Sequence, residues 1–154
     1  MGELDLIKEA LMSIISIAIC IFLVLELMNV TMLYFNPGSK MGNGIGVFNA
    51  WEQSKENKAV HALVKYLVYW VAGTKLIFIG LLLVILLTGS ALTQTLSAVV
   101  LILSILSFYW RLYPIIKGLD HQNQISPKGY SKTLGIMIAC FILMFSIALV
   151  VSFF

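Results

Sequence analysis

The chain has 154 residues, 60% of them hydrophobic and only 11% charged, with a formal net charge of +3 and a mean hydropathy of +1.00. Soluble domains carry about a quarter charged residues. This composition therefore excludes an ordinary soluble globule and, with several apolar runs of spanning length, puts the chain in the membrane class as one compact domain.

The N-terminal stretch MGELDLIKEA is acidic, and the apolar run after it is too long for the h-region of a signal peptide, so cleavage is not expected. Leu6 occupies the position where a myristoylation motif requires Ser or Thr. The first span reads from about Leu11 to Phe35 and stops at the turn signal Asn36-Pro37-Gly38. Loop one, FNPGSKMGNGIGVFNAWEQSKENKAV, opens glycine-rich and turns amphipathic. Ile45, Phe48 and Trp51 share a helical face opposite Glu52, Lys55 and Glu56, which predicts a short interfacial helix. Gly42, Gly44 and Gly46 follow no strand and complete no phosphate-binding fingerprint.

The second span runs from about Ala62 to Leu87 and ends at Gly89-Ser90; the third, from about Leu92 to Lys117, follows so closely that the two are expected to be antiparallel neighbours. Loop three, LDHQNQISPKGYSK, reads as a polar connector with turns at Ser126-Pro127 and Gly129. The fourth span covers about Thr133 to Phe154. The expected fold is an all-α, four-helix antiparallel membrane bundle with spans 11–35, 62–87, 92–117 and 133–154.

Loop charge sets the expected orientation. Lys40, Lys55, Lys58 and Lys65 flank or fill loop one and Lys117, Lys128 and Lys132 flank or fill loop three, whereas the opposite side offers only Lys8 among acidic neighbours. By the positive-inside rule loops one and three face the cytoplasm and both termini face outward, in a bacterial inner membrane or its equivalent. The same concentration of charge in loops speaks for bilayer orientation and against a nucleic-acid partner.

Three ionisable residues fall within spans: Glu26, Lys75 and Arg111. Glu26 stands nine residues before Phe35 and Lys75 nine after Tyr66, so both lie roughly 13–14 Å from the inner boundary at 1.5 Å per residue. On consecutive antiparallel helices, an acid and a base at one depth can pair, with Asn29 one turn from Glu26. A central lysine costs roughly 2.5–3.5 kcal/mol on insertion scales, so a partner is expected. Intramembrane charges default to functional sites, but such a pair can equally fix helix register.

Arg111, in FYWRLYP, is about 9 Å inside Lys117 and can snorkel to the interface. Ser97, Ser104, Ser107 and Arg111 form a polar stripe on the third span, and Pro114 adds a candidate kink. If that stripe faces inward, Arg111 joins Glu26, Asn29 and Lys75 in a cytoplasm-facing cleft suited to an anionic solute; serines also simply allow close packing. Gly135, Ala139 and Ser146 make a small-residue face on the fourth span for packing within the bundle or between copies.

Other groups carry less. Cys20 and Cys140 fall about 10 Å apart in depth, too far for a disulfide, and are expected to be free. His61 and His121 lie near the surface with no ligand spacing between them. The sequon Asn29-Val30-Thr31 lies inside a span and is unsuited to glycosylation.

No catalytic residue, metal site or cofactor is expected: no nucleophile–base arrangement or metal-binding cluster is present. The sequence-based reading is a small transporter or channel-like protein with its ligand or ion path at Glu26, Asn29, Lys75, Ser104, Ser107 and Arg111. The first alternative is a non-catalytic accessory or assembly subunit whose Glu26–Lys75 pair fixes helix register. An enzyme acting on a lipid-soluble substrate is the least supported. The expected partners are the lipid bilayer, further copies of the chain through Gly135, Ala139 and Ser146, or the other subunits of a membrane complex.

Overall fold

The computed structural model describes residues 3–41 and 43–153, with side chains over 14–41 and 43–152. Gly42 and the side chain of Lys8 fall outside the described residues. The helices in chain order are α1 (Glu3–Phe35), α2 (Asn49–Ser54), α3 (Lys58–Thr88), α4 (Ala91–His121) and α5 (Tyr130–Phe153), with a short 3-10 turn at Ile45–Val47. Four segments, Ile14–Phe35, Lys58–Thr88, Ala91–His121 and Tyr130–Ser152, are long and apolar enough to cross a membrane. This is an all-α four-helix membrane bundle.

Local chemistry sets the helix ends. Asn57 caps α3 by accepting from the N–H groups of Ala59 and Val60, and Ser90 caps α4 by accepting from Thr93 N–H. The N-terminus of α5 is capped from a distance. Asp120, at the end of α4 and only 6% exposed, accepts from Gly129 N–H at 3.0 Å, Ser131 N–H at 3.0 Å and the Ser131 hydroxyl at 2.6 Å. A carboxylate there satisfies orphan donors and complements the helix dipole.

α1 packs along α3 and α5, and α4 packs along α5. α3 and α4, expected to be antiparallel neighbours from their short connection, make little contact with one another. They are tied at the turn, where Gln94 donates to the carbonyls of Leu86 and Gly89 and accepts from the Ser16 hydroxyl of α1 at 2.6 Å. Beyond the turn each follows a different partner. The meeting point of α1, α3 and α5 is filled by aromatic rings: Phe22 lies 6.1 Å from Phe78, 5.2 Å from Phe141 and 5.5 Å from Phe145, centroid to centroid and edge-on. Phe145 is completely buried.

Loops one and three fold together into a cap over one end of the bundle. Asn49 N–H donates to Gln124 O at 2.9 Å, Ser126 N–H donates to Val47 O at 2.8 Å, and Phe48 bridges Ile125. Beneath these bonds Val47, Ile116, Ile125 and Leu134 form a small apolar core of their own. Of the expected loop-one helix only Asn49–Ser54 is helical, as α2, with Ile45 in the 3-10 turn and Phe48 extended at its N-cap. Its apolar side is used on protein, for Trp51 is buried, lies against Gly38 and has its ring 4.8 Å from His61. The glycines of this loop serve close backbone approach, since a Cβ on Gly46 would strike the Gly38 carbonyl and one on Gly44 the Ser39 carbonyl.

Two outcomes are expected in thermal unfolding in detergent. Asp120→Ala should cost about 1–2 kcal/mol, in the range of a lost helix cap, with Asp120→Asn retaining part of it. Gly46→Ala should loosen the cap, read as faster proteolysis within loop one, while helix content is unchanged.

Candidate functional site

The polar group inside the bundle lies between α1 and α3. Glu26 and Asn29, one turn apart on α1, both reach Lys75 of α3: Nζ lies 2.7 Å from Glu26 Oε2 and donates to Asn29 Oδ1 at 2.9 Å. The contact is half-buried, with side-chain exposures of 27% for Lys75 and 18% for Glu26. Buried apolar residues flank it along both helices, Leu23, Val30 and Leu33 on α1 and Val68, Ala72 and Ile79 on α3. Gly73 leaves room for the Tyr34 hydroxyl, and Tyr34 stacks on Tyr69 at 5.9 Å with Lys65 over that ring. Glu26 Oε1 and one ammonium hydrogen of Lys75 make no hydrogen bond to the described residues.

The helix lengths refine the depths. A hydrocarbon core of about 30 Å takes roughly 20 helical residues. Counted from the α3–α4 turn, that distance ends near Val68 on α3 and at Arg111 on α4. Tyr66, Tyr69, Trp70, Trp110 and Tyr113 cluster at this level as an aromatic belt. For a core of that thickness starting at the turn, Lys75 would lie about 10 Å inside the capped-end boundary and Arg111 on it.

The structure brings Glu26, Asn29 and Lys75 together and leaves Ser104, Ser107 and Arg111 outside. All three of the latter are exposed. Arg111 rests 5.1 Å from the Trp110 ring, and Ser107 donates to the Ser104 carbonyl. Among the described residues the ion pairs are Lys75–Glu26 and Lys55–Glu52, so Arg111 has no carboxylate. Within the single chain, Arg111 does not join Lys75 in one cleft. The stripe does share a face, but α4 turns Gln94, Ala98, Leu101 and Ile116 inward instead. The helix runs on through Pro114.

Gly135 is buried, and the Tyr109 hydroxyl donates to its carbonyl at 2.5 Å. A Cβ there would meet the Tyr113 ring at 2.8 Å. This small-residue step serves α4–α5 packing, with Ala139 and Ser146 half-buried further along. Cys20 and Cys140 are free and exposed. His61 Nδ1 lies 2.8 Å from Ser54 Oγ within the cap, and His121 is exposed at the end of α4. Sequence reasoning missed two groups, Gln94 with Ser16 and Asp120 with Ser131. Gln94, polar near the start of an apolar span, and an acid shortly before Gly129 and the fourth span were the available signals.

Compared with protein-family models, curated proteins and solved structures, the chain matches none.

Asn29→Leu and Tyr109→Phe are each expected to lower stability in detergent by about 0.6–2 kcal/mol, the range of interhelical hydrogen bonds in membranes. Unfolding curves against wild type measure both.

Proposed function

We propose that this chain is a non-catalytic helical subunit of a membrane assembly, oriented with the loop-one and loop-three cap in the cytoplasm, in which the Glu26–Asn29–Lys75 group sets the register of α1 against α3. The observation that carries this reading is the filling of the bundle axis. Phe22, Phe78, Phe141 and Phe145 occupy its centre, and Val47, Ile116, Ile125 and Leu134 occupy the capped end. Among the described residues these two apolar plugs leave water and ions no continuous polar lining to follow. The charges also compensate each other locally, Lys75 with Glu26, rather than converging with Arg111 on a shared ligand. The orientation rests on charge: eight basic side chains against three acidic ones belong to the capped end, and only Lys8 among three acids to the other.

Transport is the second reading, and one observation favours it. The Glu26–Lys75 contact is partly accessible from the side of the bundle and retains unused hydrogen-bonding capacity. A path between two copies of the chain would reach it without crossing the phenylalanines.

Purified protein in liposomes separates the two. The subunit reading expects proton and chloride leak no greater than in protein-free liposomes, for wild type and for Lys75→Met alike. A wild-type flux that Lys75→Met abolishes in a folded protein would replace it with transport.

A further inference from the structure

We infer that Arg111 and the aromatic belt beside it form a binding site for the phosphate of an anionic glycerophospholipid in the capped-end leaflet. Arg111 is a permanently charged fork of donors, exposed, without a carboxylate among the described residues. It stands at the hydrocarbon boundary, about 20 residues from the α3–α4 turn. Lipid phosphates lie about 5 Å outside that level, within reach of an extended arginine side chain, and water alone would be a poor partner for a guanidinium flanked by apolar surface.

The neighbourhood fits a lipid rather than a soluble anion. Trp110 is 75% exposed and, deeper on the same helix, Val100 and Leu103 are 60% and 63% exposed, which leaves acyl chains an apolar wall. Ser107, one turn deeper on the Arg111 face, donates its hydroxyl to the Ser104 carbonyl and so leaves the guanidinium as the group on this face that reaches for the phosphate. The charge of the whole end is complementary. Asp120 is held by Gly129 and Ser131 and Glu52 by Lys55, and eight basic side chains against Glu52, Glu56 and Asp120 leave this end a net positive charge that attracts an anionic leaflet. The inference rests on the chain lying in a bilayer and not on what else it assembles with.

Brominated lipids quench nearby tryptophans and report this site directly. Trp70 is exposed at 62% and would also respond, whereas Trp51 is buried at 6%. In a Trp70→Phe background, Trp110 is therefore the lipid-facing reporter. The protein is reconstituted in phosphatidylcholine vesicles containing increasing brominated phosphatidylglycerol or, separately, brominated phosphatidylcholine. Half-quenching is expected at about fivefold lower mole fraction of the anionic lipid, the preference one basic side chain supplies near an anionic surface. Arg111→Gln should equalise the two lipids, and Arg111→Lys should keep part of the preference. Equal quenching by both lipids in the Trp70→Phe protein overturns the inference without recourse to any Arg111 variant. So does a preference that survives Arg111→Gln in a protein of unchanged circular dichroism. Millimolar inorganic phosphate should leave the preference intact; its loss would assign the arginine to a soluble phosphate and overturn the lipid site.

Discussion

Hydrocarbon offers no hydrogen bonds, so a polar side chain within a spanning helix must find its partner on another part of the protein. Lys75 meets that requirement most demandingly, because an ammonium alone at its depth is expensive and a compensating carboxylate must come from a different helix. Glu26 and Asn29 supply acceptors from α1. Apolar packing between membrane helices is weakly directional, since lipid tails are as apolar as leucine. On the proposed reading, a pair with one short geometry specifies the sliding and rotation of α1 on α3 in a way that leucines do not. The net stability gained is modest after desolvation of both ions.

Two neutral contacts extend the same logic to the other helices. Ser16 and Gln94 join α1 to the α3–α4 turn, and Tyr109 joins α4 to the carbonyl of Gly135 on α5. Between them the phenylalanine cluster fills the axis. At one end the loops complete the bundle with their own small core, held by Asp120 at the start of α5 and by backbone bonds from loop one to loop three. Among the described residues, apolar side chains thus fill the bundle axis, and the exposed apolar surface lies along its sides.

Much of this was legible in the sequence because it depends on composition and linear distance. Four spans follow from hydropathy, and counting residues from the ends brings Glu26, Asn29 and Lys75 to one level. What linear distance does not encode is direction. The stripe of Ser104, Ser107 and Arg111 has helical spacing whether it faces inward or outward, and only the apolar bulk of Leu101 and Ile116 on the other face decides. The short α3–α4 connection implies adjacency but not packing, which the Phe22 cluster assigns to α1 and α5. The cap escaped notice because its bonds join residues some 75 positions apart, such as Asn49 and Asn123, without any periodic pattern. Trp51 then reads as a lipid anchor although it is buried in protein.

The claim that Glu26 and Lys75 set the register of α1 against α3 is tested most directly by a double-mutant cycle on unfolding free energy in detergent or bicelles. Its corners are wild type, Glu26→Gln, Lys75→Met and the double variant, with the charge-reversed Glu26→Lys/Lys75→Glu protein as a fifth measurement. The account expects a coupling of about 1–3 kcal/mol, as for directly interacting groups, and recovery of most of the lost stability on reversal. Single-mutant effects that simply add, with no recovery in the reversed protein, would contradict it.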